Sequence, residues 1–205
     1  MRAPADDSRR MHLAVSEHGA MSVTPEDVEW LRRAAGGDAR AASLLFRAHG
    51  ARVQRMAARV LGAGDAEVDD VVQQTFLAAL DSAARFDGRS ALSTWLIGIA
   101  NRRALDAARS RARRARLREV TSWFGLGDAA PAASEARDAR DSAARALAVL
   151  TPEQRSVFVL VSVEGYTLQE AADMTGTGMS TLHARLAAAR KRLDAAIADG
   201  GEEAR

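Results

Sequence analysis

Gly165-Tyr166-Thr167-Leu168-Gln169-Glu170-Ala171-Ala172-Asp173-Met174-Thr175-Gly176-Thr177-Gly178-Met179-Ser180-Thr181-Leu182-His183 begins the stretch that decides the fold, and Ala184-Arg185-Leu186-Ala187-Ala188-Ala189-Arg190-Lys191-Arg192-Leu193 completes it. Thr167 and Glu170 have capping-box spacing, in which hydroxyl and carboxylate each satisfy a free amide at a helix start. A short helix is predicted from about Leu168 to Thr175. Gly176-Thr177-Gly178 ends it, because glycine reaches positive φ at little steric cost. Leu182, Leu186, Ala189 and Leu193 then recur at helical spacing along one stripe of a second helix. A short helix, a tight glycine turn and a longer helix closing on Arg190-Lys191-Arg192 read as a helix-turn-helix, whose second helix enters the major groove of DNA. An ordinary antiparallel helix pair is the other reading, and the flanking chain has to choose.

Upstream, Thr151-Pro152-Glu153-Gln154 is another capping box, with proline in the first turn. It launches Ser156-Val157-Phe158-Val159-Leu160-Val161. The run is β-branched enough for a strand, but its cap and length favour helix. A preceding helix from about Asp141 carries Ala144, Leu147, Ala148 and Leu150. These two helices with the helix-turn-helix form a four-helix unit of residues 141–198, expected to bury its own Leu and Val without further chain.

Residues 117–140 turn to Gly, Ala, Pro and Ser, a flexible interdomain linker by composition. Trp123-Phe124-Gly125-Leu126 interrupts it with apolar side chains that should dock, in cis or on a partner.

Residues 23–116 form the first unit. Thr24-Pro25 starts a helix that continues through Leu31 and Ala34 to Gly36-Gly37. Asp38 caps a longer one with Ala41, Leu44, Leu45, Ala48, Val53, Met56, Ala57 and Val60 at helical spacing; Gly50 weakens it by about 1 kcal/mol without ending it. A third helix, about Ala66 to Leu80, turns Val68, Val71, Val72, Phe76 and Leu80 inward and Asp69, Asp70, Gln73 and Gln74 outward. That polar face is either merely solvated or an interaction surface. After the loop Arg85-Phe86-Asp87-Gly88-Arg89-Ser90, a fourth helix runs from about Ala91 to Arg116. Its first half is apolar (Leu92, Trp95, Leu96, Ile99, Ala100). Its second carries Arg102, Arg103, Arg109, Arg111, Arg113 and Arg114, either a solvated helix end or a contact for phosphates, where Arg clusters supply counterion release.

Composition sets the outer limits. The chain has 205 residues, 47% hydrophobic but only 4% aromatic, which favours small helical bundles over a sheet sandwich. Charges nearly cancel, 29 Lys+Arg against 27 Asp+Glu, so local clusters must carry any nucleic-acid argument. There is no Cys, and His12, His18, His49 and His183 are scattered, so neither a metal nor a cofactor is expected. No apolar run reaches membrane length and no hydrophobic signal segment opens the chain, which points to the cytoplasm. Residues 1–22 read as a disordered lead, with Met11 or Met21 as alternative starts to Met1, and residues 199–205 as a disordered tail.

These motifs in this order resemble the extracytoplasmic-function (ECF) sigma factors of bacterial RNA polymerase, from about Thr24 to Ile197. Asp70-Val71-Val72-Gln73-Gln74-Thr75-Phe76 is similar to the Asp-Leu-Val-Gln-Glu-Thr-Phe signature of the family's region two. Arg85-Phe86, Ser93-Thr94-Trp95-Leu96 and Ile99-Ala100 are similar to its next segment. Leu150-Thr151-Pro152-Glu153-Gln154-Arg155 and the helix-turn-helix follow the order of region four. The resemblance implies an all-α chain of two small helical domains, and a transcription initiation factor, not an enzyme. Core polymerase would be bound at its β′ clamp through Asp69, Asp70, Gln73, Gln74 and Leu77, and also at its β flap. The melted −10 element of promoter DNA would be captured by Phe86, Arg89, Ser90, Thr94, Trp95, Asn101, Arg102, Arg109 and Arg113. The −35 element would meet Thr167, Ser180, Thr181, His183, Ala184, Arg185, Ala187, Arg190 and Lys191. An anti-sigma factor is a further implied partner.

Three departures stand out. Ile99-Ala100-Asn101-Arg102 replaces the frequent Ile-Ala-Arg-Asn, Gln74 replaces a Glu, and Leu182-His183-Ala184-Arg185 replaces Val-Arg-Ser-Arg. The altered recognition helix leaves as the alternative a sigma-like or other helix-turn-helix regulator or adaptor without full promoter selectivity. A response regulator would need alternating strands in its first half, which are missing here. An enzyme would need a nucleophile–base pair, phosphate loop or metal cluster, and none is visible.

Overall fold

The computed structural model describes residues 24–62, 64–123 and 146–202, and no strand occurs among them. Local chemistry starts each helix. Thr24 Oγ1 accepts from the Asp27 amide at 3.3 Å and Pro25 opens α1 (Pro25–Ala35). The Asp38 carboxylate accepts from the amides of Arg40 and Ala41 at 2.9 and 3.1 Å and starts α2 (Ala39–Leu61). A buried pair, His49 Nε2 and Asp27 Oδ1 at 3.3 Å, holds α1 to α2. α3 spans Val68–Asp81, a 3-10 turn Ala83–Arg85 follows, and α4 spans Leu92–Trp123.

Residues 146–148 are helical, and the Thr151–Gln154 capping box then opens α5 (Pro152–Phe158) with both reciprocal bonds made. The Val-rich run stays helical, but over Val159–Val163 it widens to a π-helix. Its exit is tight: Glu164 N–H donates to the Val159 carbonyl, Tyr166 N–H to that of Leu160, and Gly165 between them takes φ +76°. Thr167 and Glu170 form the second capping box and open α6 (Leu168–Thr175), which Gly176 ends in the left-handed region at φ +64°. α7 runs from Met179 to Glu202.

Helices α1 to α4 enclose Leu31, Leu45, Met56, Val71, Leu96 and Ile97. The same core continues without a break into Val157, Val159, Leu160, Met174, Leu182 and Leu186 of the second unit. The second unit therefore does not bury its apolar side chains by itself, contrary to the sequence expectation. Val159 and Leu160 are fully buried, each worth about 1.5–3 kcal/mol relative to exposure, and part of that burial comes from α2 and α4. Among the described residues, a small cluster of Leu150, Ala189 and Leu193 belongs to the second unit alone.

Other details depart from the pattern reading. α3 begins at Val68, because Asp65 first turns the chain by accepting from the Glu67 amide at 2.9 Å. α4 passes the expected end at Arg116 and continues to Trp123, since no Gly or Pro intervenes before Gly125. α7 likewise runs beyond 198 to Glu202. Leu44 and Ala48 of α2 face outward rather than into the core. The lead 1–22, residues 124–140 of the expected linker, Phe124 to Leu126 and Ala144 lie outside the described residues.

Candidate functional site

The outer face of α3 carries Asp69, Asp70, Gln73, Gln74 and Leu77, all exposed, while Val68, Val71, Val72, Thr75, Phe76 and Ala79 are buried on the other side. The Leu77 side chain is 53% exposed although the core is filled without it. Pattern reading missed Phe46 of α2, which is 52% exposed and stands 5.1 Å from the Phe76 ring. Gly50 makes room for it, because a Cβ there would come within 3.3 Å of the Phe46 ring. A cleft of about 640 Å³ beside it is lined by Ala42, Ser43, Leu45, Phe76 and Leu80.

The loop before α4 is held by Asp87, whose carboxylate accepts from the backbone N–H and the guanidinium of Arg89 at 3.1 and 2.5 Å. Hydrogen bonding from the Arg89 amide keeps the Asp87 carboxyl below its usual range. Phe86 and Trp95 pack with ring centroids 5.2 Å apart and planes tilted by 48°, a favourable offset for aromatic pairs. Trp95 also lines a cleft of about 540 Å³ with Asp81, Ser82, Arg85, Arg102 and Arg103. Ser90 and Trp95 are partly exposed and Arg113 is exposed.

The remaining residues expected to take the −10 element are engaged by the second unit. Thr94 is hydrogen-bonded to Tyr166. Asn101 is fully buried and its Oδ1 accepts from Ser156 Oγ of α5 at 2.7 Å. Its Nδ2, also buried, has no hydrogen-bond partner among the described residues, at a cost of about 1–3 kcal/mol. Arg102 donates to the Met174 carbonyl at 3.1 Å, and Arg109 to Glu153 at 3.0 Å. Burial raises the Glu153 pKa, but its own amide, Arg109 and Arg185 outweigh this and hold it below the ordinary value. Not all the α4 arginines face outward charge-free: Arg111 pairs with Asp65 and Arg114 with Glu67.

Two further groups join the units, and neither stands out by sequence spacing. The Glu164 side chain, 4% exposed, pairs with Arg59 and, at 3.4 Å, with Arg52, which also donates to the Tyr166 hydroxyl at 3.2 Å. Arg155 of α5 donates to the carbonyls of Leu147, Val60 and Leu150 at 2.9, 3.0 and 3.3 Å. Val60 lies in the last turn of α2, where carbonyls lack helical partners and favour a cation.

On α7, Leu182, Leu186, Ala189 and Leu193 are buried as the stripe predicts. Ser180, Thr181, His183, Ala184, Ala187, Arg190 and Lys191 are exposed, and Arg185 is partly so. Thr167 is occupied as a cap, its Oγ1 accepting from the Glu170 amide at 3.2 Å.

Comparison with known proteins places this arrangement. Residues 45–114 match the family model for sigma-70 region 2, and residues 140–193 the model for sigma-70 region 4. The ECF RNA polymerase sigma factor SigM of Mycobacterium tuberculosis is 33% identical over 169 residues, 82% of each chain. The chain belongs to the ECF sigma factors. Its function is theirs: it binds core polymerase and directs promoter recognition and melting in transcription initiation. Sigma factor CnrH of Cupriavidus metallidurans is 33% identical over 192 residues, covering 85% of this chain and 97% of CnrH. The solved structure of CnrH with the cytosolic domain of CnrY aligns at a TM-score of 0.56 with 27% identity, over 85% of this chain and 98% of that one. Sigma factor RpoE of Bartonella quintana, solved with the anti-sigma factor NepR, shares the fold at a TM-score of 0.54 and 24% identity, over 74% and 92% of the two chains. No described helix of this sigma factor is long and apolar enough to cross a membrane.

Proposed function

We propose that this sigma factor divides its work among three surfaces. The exposed face of α3, with Asp69, Asp70, Gln73, Gln74 and Leu77, docks on the β′ clamp of core polymerase. The loop around Phe86, Arg89 and Ser90, with Thr94, Trp95, Asn101, Arg102, Arg109 and Arg113, takes the melted −10 strand. Single-stranded bases need stacking groups and a basic track, and the tilted Phe86–Trp95 pair beside an arginine-lined cleft supplies both kinds of group. The recognition helix α7 reads the −35 duplex through Ser180, Thr181, His183, Ala184 and Ala187, with Arg185, Arg190 and Lys191 on phosphates and Thr167 at the entry. The second domain also contacts the β flap.

The observation that carries this division is the pairing of a filled core with an exposed polar and apolar face on α3 and with an exposed reading face on α7. The linker that joins the two domains follows α4, and the protein works in the cytoplasm as an initiation factor. An anti-sigma factor is the regulatory partner we propose, by analogy with CnrH and its bound CnrY domain. Run-off transcription with purified core polymerase tests the whole reading: this chain should yield promoter-dependent transcripts, and transcripts independent of template sequence would refute it.

A further inference from the structure

The cleft beside Trp95 holds charges of both signs around an apolar floor. Its volume is about 540 Å³, and its lining lies wholly within the first domain, on the end of α3, the 3-10 turn and α4. Ile99 and the partly exposed Trp95 supply apolar surface. Asp81, Arg85 and Arg103 supply charge; all three are exposed, and their side chains make no ion pair or hydrogen bond among the described residues. Asp81 and Arg85 have the i, i+4 spacing that brings opposite charges together on a continuous helix. They do not meet because α3 ends at Asp81 and the chain tightens into the 3-10 turn before Arg85. The other charges of the cleft are engaged, Arg102 by the Met174 carbonyl and Asp106 by Arg109 at 3.6 Å.

A carboxylate and a guanidinium held apart beside an aromatic ring match a nucleobase, which has a flat face for Trp95 and donors and acceptors on separate edges. The four bases differ in what they offer a carboxylate. Guanine presents N1–H and its amino group side by side, two donors for the two oxygens of Asp81. Its other edge carries O6 and N7, two acceptors for the Arg85 guanidinium. Adenine and cytosine each present an amino group beside a ring-nitrogen acceptor. Thymine presents one N–H between two carbonyl oxygens, which a carboxylate repels. We infer that this cleft takes one unstacked base of the melted strand and selects guanine, with Asp81 and Arg85 as the selecting residues and Arg103 on the adjoining phosphate. This rests on the assignment of the Trp95 region to the −10 strand.

The test uses the full chain bound to purified core polymerase, with core polymerase alone as the control. Probes are labelled single strands of thymidine carrying one guanine, adenine or cytosine, or none, so that the strand can slide until its odd base finds the cleft. Binding is read by fluorescence anisotropy at fixed salt. The guanine strand should bind about tenfold or more tighter than the all-thymidine strand, the size of one bidentate base contact, with adenine and cytosine between. Asp81→Asn should remove most of that advantage, because an amide offers guanine one oxygen in place of two, and Asp81→Glu should keep part of it. Arg103→Ala should weaken all four strands alike, as loss of a phosphate contact does. The variants should keep the thermal midpoint of the parent chain, since these exposed side chains pair with nothing among the described residues. Equal binding of the four strands, or a guanine advantage that survives Asp81→Asn undiminished, would overturn the inference and leave the −10 assignment standing. Absence of strand binding beyond that of core polymerase alone would remove the −10 assignment, and the inference with it.

Discussion

Glu164 is a buried carboxylate whose two partners, Arg52 and Arg59, belong to the other domain. The π-turn and Gly165 aim it there: the widened helix shifts the register of Glu164, and the positive φ of Gly165 turns the chain away immediately after it. Removing one member of a buried pair costs about 3–5 kcal/mol. Arg59 is about a third exposed, which places Glu164→Ala at the low end of that range. Urea unfolding should show the loss, and a change within about 0.5 kcal/mol, as at an ordinary surface site, would refute the role. On α7, His183 and Arg190 are both exposed but occupy different parts of the helix surface. The central face offers mostly small side chains, so affinity should come chiefly from phosphates and DNA shape. His183→Ala should alter preference at one or two base positions, whereas Arg190→Ala should weaken all sequences alike. A panel of single-base promoter variants at fixed salt separates the two outcomes.

Helices carry the next level of argument. α3 is divided lengthwise, with valines and Phe76 inward and Asp69, Asp70, Gln73, Gln74 and Leu77 outward. Because the outer residues support no core packing, Asp70→Arg should leave stability within about 0.5 kcal/mol and still reduce co-purification with core polymerase. Undiminished co-purification would remove α3 from the interface. α6 depends far more on its ends, having only eight residues. Thr167 and Glu170 close its capping box with bonds of 2.7, 2.8 and 3.2 Å. Thr167→Ala should cost about 1 kcal/mol, seen as a lower thermal midpoint. Thr167→Ser should recover most of it, because serine caps equally well.

Across the whole molecule, the two domains share one hydrophobic core. The intact chain should therefore unfold in urea as one transition followed alike by tryptophan fluorescence and by circular dichroism. The fragment 141–205 should unfold at a lower denaturant concentration than the same helices in the full chain, because Val157, Val159 and Leu160 lose the α2 and α4 surfaces that help bury them. Two separate transitions, with the fragment as stable as the intact chain, would mean that the shared core contributes little. The same sharing explains why α4 has an apolar first half and a basic second half. Its N-terminal part lies under both domains, and its later arginines reach Asp65, Glu67 and Glu153.

The sequence by itself determined the helices, the caps and their order. Thr24, Asp38, Thr151 and Thr167 act on amides within three residues, so their effect is local and legible from spacing. The buried stripe of α7 and the two-sided α3 were readable for the same reason, since helical periodicity sorts side chains before any partner is known. Closure of the domains was not readable. Asn101 on Ser156, Arg59 on Glu164 and Arg155 on Val60 join residues separated by 55, 105 and 95 positions. No local period encodes such pairs, and an arginine on a polar helix looks the same whether it will meet phosphate or a carboxylate. Only the tertiary structure decided which candidate DNA contacts are covered, because that depends on which apolar faces were left over after each helix had formed.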